Sequence, residues 1–368
     1  MGVSTITPAF PRMQDALGIS SEQIGLVITA FTLPGIALTP LFGVLADRYG
    51  RKTILVPSLF LFGIAGFACA FVREFELLLI MRFLQGIGGA SLGSLNVTLI
   101  GDLYPTEKRS TAMGYNSSVL SVGTASYPAI GGGLAVLGWY YPFYLNIVGL
   151  PVGLLVLWVL DNPDVHQDTD MKSYILNVWE TLKSKAVAGL FLTNFLTFIL
   201  LFGTVLTFFP VLMDERFGQS AFVIGLFLSL ASLTTAVTAS QLGRLSQRFP
   251  QSHLIAFSAV LYTIAFTMLA YLSTLTWLWL PTILFGVAQG INIPTVMNLL
   301  THQSPMEYRA AFLSVNWMIM RSGQTLGPVL LGLVYRYYSL TGVFITGGIL
   351  ACIMLVVVWQ LIVSTIRG

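Results

Sequence analysis

Charge is scarce in this chain of 368 residues. Asp, Glu, Lys and Arg together make up 9% of it, against roughly 25% in a soluble domain. With 55% hydrophobic residues, a water-soluble fold would leave far too much apolar surface uncovered, so a soluble globular protein is excluded. Histidine is also rare, and His166, His253 and His302 are all expected in loops. Together with the lack of an HExxH pattern, that removes metallohydrolase chemistry. The two cysteines, Cys69 and Cys352, lie inside apolar runs and read as packed thiols, not as a disulfide framework or metal site. No acidic residue falls in the middle of a long apolar run. The net charge of +3 needs no nucleic-acid partner, because membrane proteins gather Lys and Arg in cytoplasmic loops.

What the sequence does have is apolar runs of spanning length. They cover roughly 22–46, 53–72, 76–101, 111–136, 139–160, 187–213, 221–242, 253–272, 275–299, 310–334 and 339–363, eleven in all. Ahead of them, MGVSTITPAF is apolar but about half the length a crossing needs. A shift of 200 residues aligns the chain with itself: Gly18, Ile24 and Gly25 meet Gly218, Ile224 and Gly225, and Gly43 and Arg48 meet Gly243 and Arg248. Further on, Pro105 and Arg109 meet Pro305 and Arg309, and Gly123, Pro128 and Gly132 meet Gly323, Pro328 and Gly332. One offset that keeps loop prolines and arginines in register predicts an all-α membrane protein made of two parallel six-helix bundles. The expected boundaries are 1–160 and 186–368, joined by a polar linker at 161–185 with a short interfacial helix towards its end. By the same shift the first helix begins before Met1, so a truncated first helix is expected.

Lysine and arginine set the orientation. Eleven lie in loops on the side of Arg48, Arg51 and Lys52, and four (Arg12, Arg73, Arg216 and Arg336) on the other. The Arg51 side is therefore expected in the cytoplasm, with both termini of the full-length chain there too.

The turn GVLADRYGRK at 43–52 resembles the signature between helices 2 and 3 of the major facilitator superfamily. RFLQGIGGA at 82–90 is similar to that family's helix-4 signature. Gly114, Gly123, Pro128, Gly131 and Gly132 fit the helix-5 pattern of its proton-coupled drug exporters, with Tyr127 standing where the pattern has glycine. The resemblance covers nearly the whole chain. It implies a secondary transporter of the cytoplasmic membrane that exports small molecules by alternating access with proton antiport, without a cofactor and as a monomer. Its partners are then the lipid bilayer, a small-molecule substrate and protons, and no nucleic acid. Proton-driven uptake of an anionic or neutral solute is the competing transport reading, and a receptor or assembly factor on the same fold the non-transport one.

Gly43 permits close helix approach and Gly50 a turn at positive φ. Asp47, at a helix end, can face the positive N-terminus of another helix; the resemblance implies that this is helix 11 and that Arg51 pairs with Asp102, contacts tied to a closed cytoplasmic side. Gly43, Asp47, Arg48, Gly50, Arg51, Lys52 and Asp102 would then form a conformational latch, the simpler reading being a positive-inside turn. Arg82, to which the family gives a part in proton coupling, shares one helix face with Gln85 and Asn96. That face points into a central cavity, unless Arg82 snorkels to the outer headgroups. Asn116, Asn194, Gln289, Asn292, Trp317, Arg321 and Gln324 are the further cavity candidates, interhelical glue being the alternative for each isolated Asn. Two intramembrane arginines without an acid lean towards anionic or neutral cargo. Gly123, Pro128, Gly131, Gly132 and Pro328 serve either close packing or helix bending.

Overall fold

The computed structural model describes residues 2–160, 184–303 and 309–364. The expected linker, its interfacial helix and the loop ahead of Arg309 lie outside the described residues. What is described is helical. A helical turn at Thr7–Ala9 leads into α1 (Phe10–Leu17), followed by α2 (Leu26–Tyr49), α3 (Arg51–Ala68), α4 (Phe75–Leu103) and α5 (Thr106–Leu137). Then come α6 (Tyr141–Val159), α7 (Lys185–Phe217), α8 (Ala221–Ser240), α9 (Gln251–Tyr271) and α10 (Leu275–Gln303). Ten stretches of the described residues are long and apolar enough to cross a membrane. The last, Phe312–Val363, breaks at Ser339, where φ is 58°. It resolves into α11 (309–338) and α12 (340–363), which restores the eleven spans expected.

The duplication is visible in local geometry. Gly18 and Gly218 end α1 and α7 with φ of 62° and 60°, and their N–H groups cap Gln14 and Asp214. A positive φ at a helix C-cap favours glycine. Within the halves, a Cβ on Gly86 of α4 would strike the Phe31 carbonyl of α2, and one on Gly286 of α10 would stand 2.6 Å from the Ala231 carbonyl of α8. These residues are again 200 apart. The glycines let paired backbones touch, which is how helices pack where lipid supplies no hydrophobic drive.

The stretch ahead of α2 is packed, not loose: Val3, Ile6, Phe10 and Met13 are buried. A Cβ on Gly131 of α5 would collide with the Thr5 carbonyl, so this stretch lies on α5.

The halves meet along two seams. At α2–α11, a Cβ on Gly25 would stand 2.9 Å from Pro328 Cβ, and one on Gly332 3.1 Å from the Glu22 carbonyl oxygen. At α5–α8, Cβ atoms on Gly225 and Gly132 would collide with the carbonyls of Pro128 and Ala221. The Ala129 N–H donates across this seam to Ser229 Oγ at 3.0 Å. All these contacts lie towards the end opposite Arg51, where Ser21 also donates to Glu215 at 3.1 Å and Arg336 stands 3.8 Å from Glu22. At the Arg51 end, Gly43, Gly101, Gly114 and Gly243 have no neighbouring atom within 4 Å of a Cβ position. The bundle is closed at one end and splayed at the other.

Candidate functional site

At the splayed end, Gly50 joins α2 to α3 with φ 93°. The turn it permits sets Arg51 one helical turn beyond Asp47. Arg51 is buried; its Nη1 pairs with the Asp47 carboxylate and its Nε with Asp102 Oδ2 of α4 at 3.1 Å. Arg48 stacks over the Tyr49 ring at 5.6 Å, and Lys52 occupies the first turn of α3. The Arg51–Asp102 contact joins two helices of the same half. It therefore stands while this end is splayed, and the expectation that it exists only on closure is corrected. The side chain of Arg309 and the residues before it, where Asp47 would meet α11, lie outside the described residues.

Arg82 is sealed inside the N-terminal half. It is 0% exposed, which rules out snorkelling. Its Nε donates to the Val27 carbonyl at 3.1 Å and its Nη1 to Gln85 Oε1 at 2.5 Å. Gln85 in turn donates to Asn146 of α6 at 3.0 Å. Phe31 lies over the guanidinium, 4.4 Å from its ring centroid. Gly86 and Gly89 make room for Phe31, so α2 covers the face that sequence periodicity turns towards a cavity. One donor, Arg82 Nη2, is buried without a protein partner. Asn96, further along α4, is exposed and donates to Asn116 of α5 at 2.8 Å.

In the C-terminal half the nominated amides tie helices together. Asn194 donates to Asn316 Oδ1 at 2.5 Å, Asn292 accepts from Thr197 at 2.9 Å and donates to Ser258 at 3.0 Å, and Gln289 accepts from Tyr262. The edge of Trp317 lies 4.0 Å from a Cβ position on Gly93. Arg321 reaches across the seam: its Cδ and Nε stand 3.0 Å from a Cβ position on Gly35 of α2. Its Nη1 donates to Gln324 at 3.1 Å, and its Nε is buried without a partner. One turn on, Thr325 donates to Thr32 at 2.9 Å and accepts from Thr29 at its carbonyl at 3.0 Å.

The α5 motif serves the seam. Pro128, Gly131 and Gly132 each touch another element through backbone, Pro328 repeats the Pro128 contact, and Gly123 packs 3.0 Å from Tyr127 of its own helix.

Beside the α5–α8 seam lies a cavity of about 230 Å³. Its walls come from Ser4, from Thr124 and Pro128 of α5, Phe202 of α7, Ser232 and Thr235 of α8, and Phe285 and Gln289 of α10, with aliphatic side chains completing it. Among the described residues, no charged one lines it. Phe202 sits in a wide-turn stretch of α7, Leu200–Phe208, a distortion frequent at functional sites and present again at Val358–Val363. Of these residues only Pro128 and Gln289 stand out in the sequence. A larger groove of about 480 Å³ runs between α9 and α12, past Tyr271, Ile349 and Cys352. It shares no lining residue with the seam.

A helical membrane bundle of two repeats, meeting around an uncharged hollow with one end splayed, has the architecture of a solute transporter. The chain belongs to the Major Facilitator Superfamily, whose family model matches residues 1–328 and again 190–365; it is a transporter by family and not an enzyme. It is 25% identical to Multidrug resistance protein 1 of Bacillus subtilis (strain 168) over 341 residues, 91% of this chain and 86% of the relative. To Tetracycline resistance protein, class B, of Escherichia coli it is 24% identical over 352 residues, 92% of this chain and 86% of the relative. Among solved structures, a D-xylose–proton symporter superposes with a TM-score of 0.80, covering 98% of this chain and 94% of its own; at 15% identity that likeness is one of fold.

Proposed function

We propose that this protein exports small molecules across the cytoplasmic membrane by alternating access, in exchange for protons. The observation that carries the reading is the asymmetry of the seam: backbone contacts close one end while the Arg51 end stands splayed. With the Arg51 side in the cytoplasm, as the lysine and arginine bias argues, this is an inward-open transporter with both termini of the full-length chain on the cytoplasmic side. Relatives named for resistance to several drugs and to tetracycline support export over uptake. The chain acts as a monomer, each copy carrying a complete seam and cavity.

In this scheme closure of the cytoplasmic side brings Asp47 to the N-terminus of α11, where helix-end charge favours a carboxylate, while Arg51 and Asp102 hold Asp47 in place. Gly43, Arg48, Gly50 and Lys52 complete that latch. Arg82, held by Val27 and Gln85 with one donor unmet, is the group whose environment responds when α2 and Phe31 move. An intramembrane arginine is costly unless it is paired or wetted; a transient opening beneath Phe31 would hydrate it, and since the guanidinium stays protonated throughout, its part in proton coupling is electrostatic. Asn96, Asn116, Trp317, Arg321 and Gln324 border the path between the halves, and Asn194, Asn292 and Gln289 hold the C-terminal wall. Pro128 and Pro328 bend at the seam as the halves rock.

The test is flux in proteoliposomes with an imposed pH gradient and a panel of neutral, cationic and anionic aromatic probes. Gradient-driven movement of at least one probe, abolished by a protonophore, is expected. Flux unaffected by the protonophore would remove proton coupling, and no flux of any probe would remove transport of this class of compound.

A further inference from the structure

We infer that the cavity beside the α5–α8 seam selects small, uncharged aromatic molecules carrying a hydrogen-bonding group, over both organic cations and anions. The inference rests on the transport reading above and assigns the cargo class of that site.

Two phenyl rings, Phe202 and Phe285, stand among its walls and offer an aromatic cargo flat apolar contact. The polar groups are few and neutral. Gln289 has its carbonyl occupied by the Tyr262 hydroxyl, so its amide nitrogen is the end left to donate. Thr235 donates to the Ala231 and Gly286 carbonyls at 2.9 and 3.1 Å, so its oxygen is left to accept. Pro128 has no N–H for the Thr124 carbonyl one turn back, and that carbonyl is a second acceptor beside the Ser232 hydroxyl. A few fixed polar groups in an apolar wall orient a ligand without adding charge.

Charge argues the same way in both directions. A cation entering this space would meet no carboxylate, because none lines it. The charged side chains at mid-span among the described residues, Arg82 and Arg321, are themselves cationic. Contact with two phenyl faces does not offset the cost of burying a cation with no counter-charge. An anion fares no better: neither arginine lines the cavity, Arg82 being shut behind Phe31 and Arg321 turned onto Gly35 and Gln324. The lean towards anionic or neutral cargo takes both arginines to reach one cavity; since neither lines this one, only its neutral half carries over. At about 230 Å³ the space lies below the roughly 300–1,000 Å³ of drug-sized pockets, which fits one or two fused rings.

The experiment is equilibrium dialysis against the full chain in nanodiscs, with empty nanodiscs as the blank. Three probes of one ring system are used: a naphthol, a naphthyltrimethylammonium and a naphthoate. The naphthol is expected to bind about tenfold or more tightly than either charged analogue. Gln289→Glu keeps an acceptor for Tyr262 and adds a negative charge; it is expected to reverse the order in favour of the cation. Ser232→Asp, on a separate helix, is expected to do the same and stands in if the first variant does not fold. Equal or tighter binding of either charged probe by the unsubstituted protein, no binding of any probe, or two folded variants that leave the order unchanged would overturn the assignment. Binding is read without a gradient, so the order of affinities stands or falls separately from proton-driven flux.

Discussion

Pro128 of α5 lies against Gly225 of α8, and Pro328 of α11 lies against Gly25 at the start of α2. The two contacts exchange under a shift of 200 residues: each half gives one proline and receives one at a glycine. The seam is thus a symmetric pair of backbone contacts, and it closes one end of the molecule with the Arg336–Glu22 pair beside it. Glycine is required because a Cβ on Gly225 would collide with the Pro128 carbonyl.

Gly225→Leu is therefore expected to hold the seam apart. Overpacking of this kind costs about 1–3 kcal/mol, enough to lower the closed-to-open ratio of the seam by about fivefold to about a hundredfold. Transport should fall to a similar extent with normal amounts of protein in the membrane. Gly348→Leu, on α12 away from the seam and with only ordinary contact distances around it, should transport normally. Flux per molecule of reconstituted protein distinguishes the two.

The latch gives a second expectation. Asp47→Asn removes the charge meant for α11 but leaves an oxygen for Arg51. It should cripple transport while folding and insertion are kept. Asp102→Ala leaves the buried Arg51 with one partner in place of two, and loss of one partner of a largely buried charge destabilises. Its thermal midpoint should drop by several degrees, about the effect of 1–2 kcal/mol. Normal flux by Asp47→Asn would remove the latch.

At Arg82, lysine should not substitute. The guanidinium reaches the Val27 carbonyl and Gln85 from different nitrogens, and a single ammonium cannot reproduce that fork. Arg82→Lys and Arg82→Ala are both expected to reduce flux by about two orders of magnitude, the size of effect a mispositioned coupling group produces. Full activity of Arg82→Lys would show that charge alone suffices there.

Much of the architecture is legible in the sequence. Apolar runs locate the spans, and the 200-residue offset shows in glycines and prolines because backbone contact leaves no freedom of residue type. The Arg51–Asp102 pair is legible through the family resemblance of the 43–52 turn, since the two residues stand far apart in the sequence. The covering of Arg82 is not. Periodicity places Arg82, Gln85 and Asn96 on one face of α4, but what lies over that face is Phe31, from a helix whose approach depends on Gly86 and Gly89. The cavity walls were hidden for another reason. Hydroxyls in membrane helices commonly bond their own backbone, as Thr235 does to Ala231, so Thr124, Ser232 and Thr235 look like helix filler. Phe202 and Phe285 look like lipid-facing rings.

The most direct measurement of the central claim, two bundles rocking about the seam, uses paired spin labels and pulsed dipolar spectroscopy. With Cys69 and Cys352 replaced by serine, one pair spans the Arg51 end (Glu107→Cys with Arg244→Cys) and the other the opposite end (Ala16→Cys with Gln219→Cys). On acidification or addition of a transported probe, the first distance is expected to shorten while the second lengthens. Distances that stay fixed, or that change in the same direction, would contradict the account.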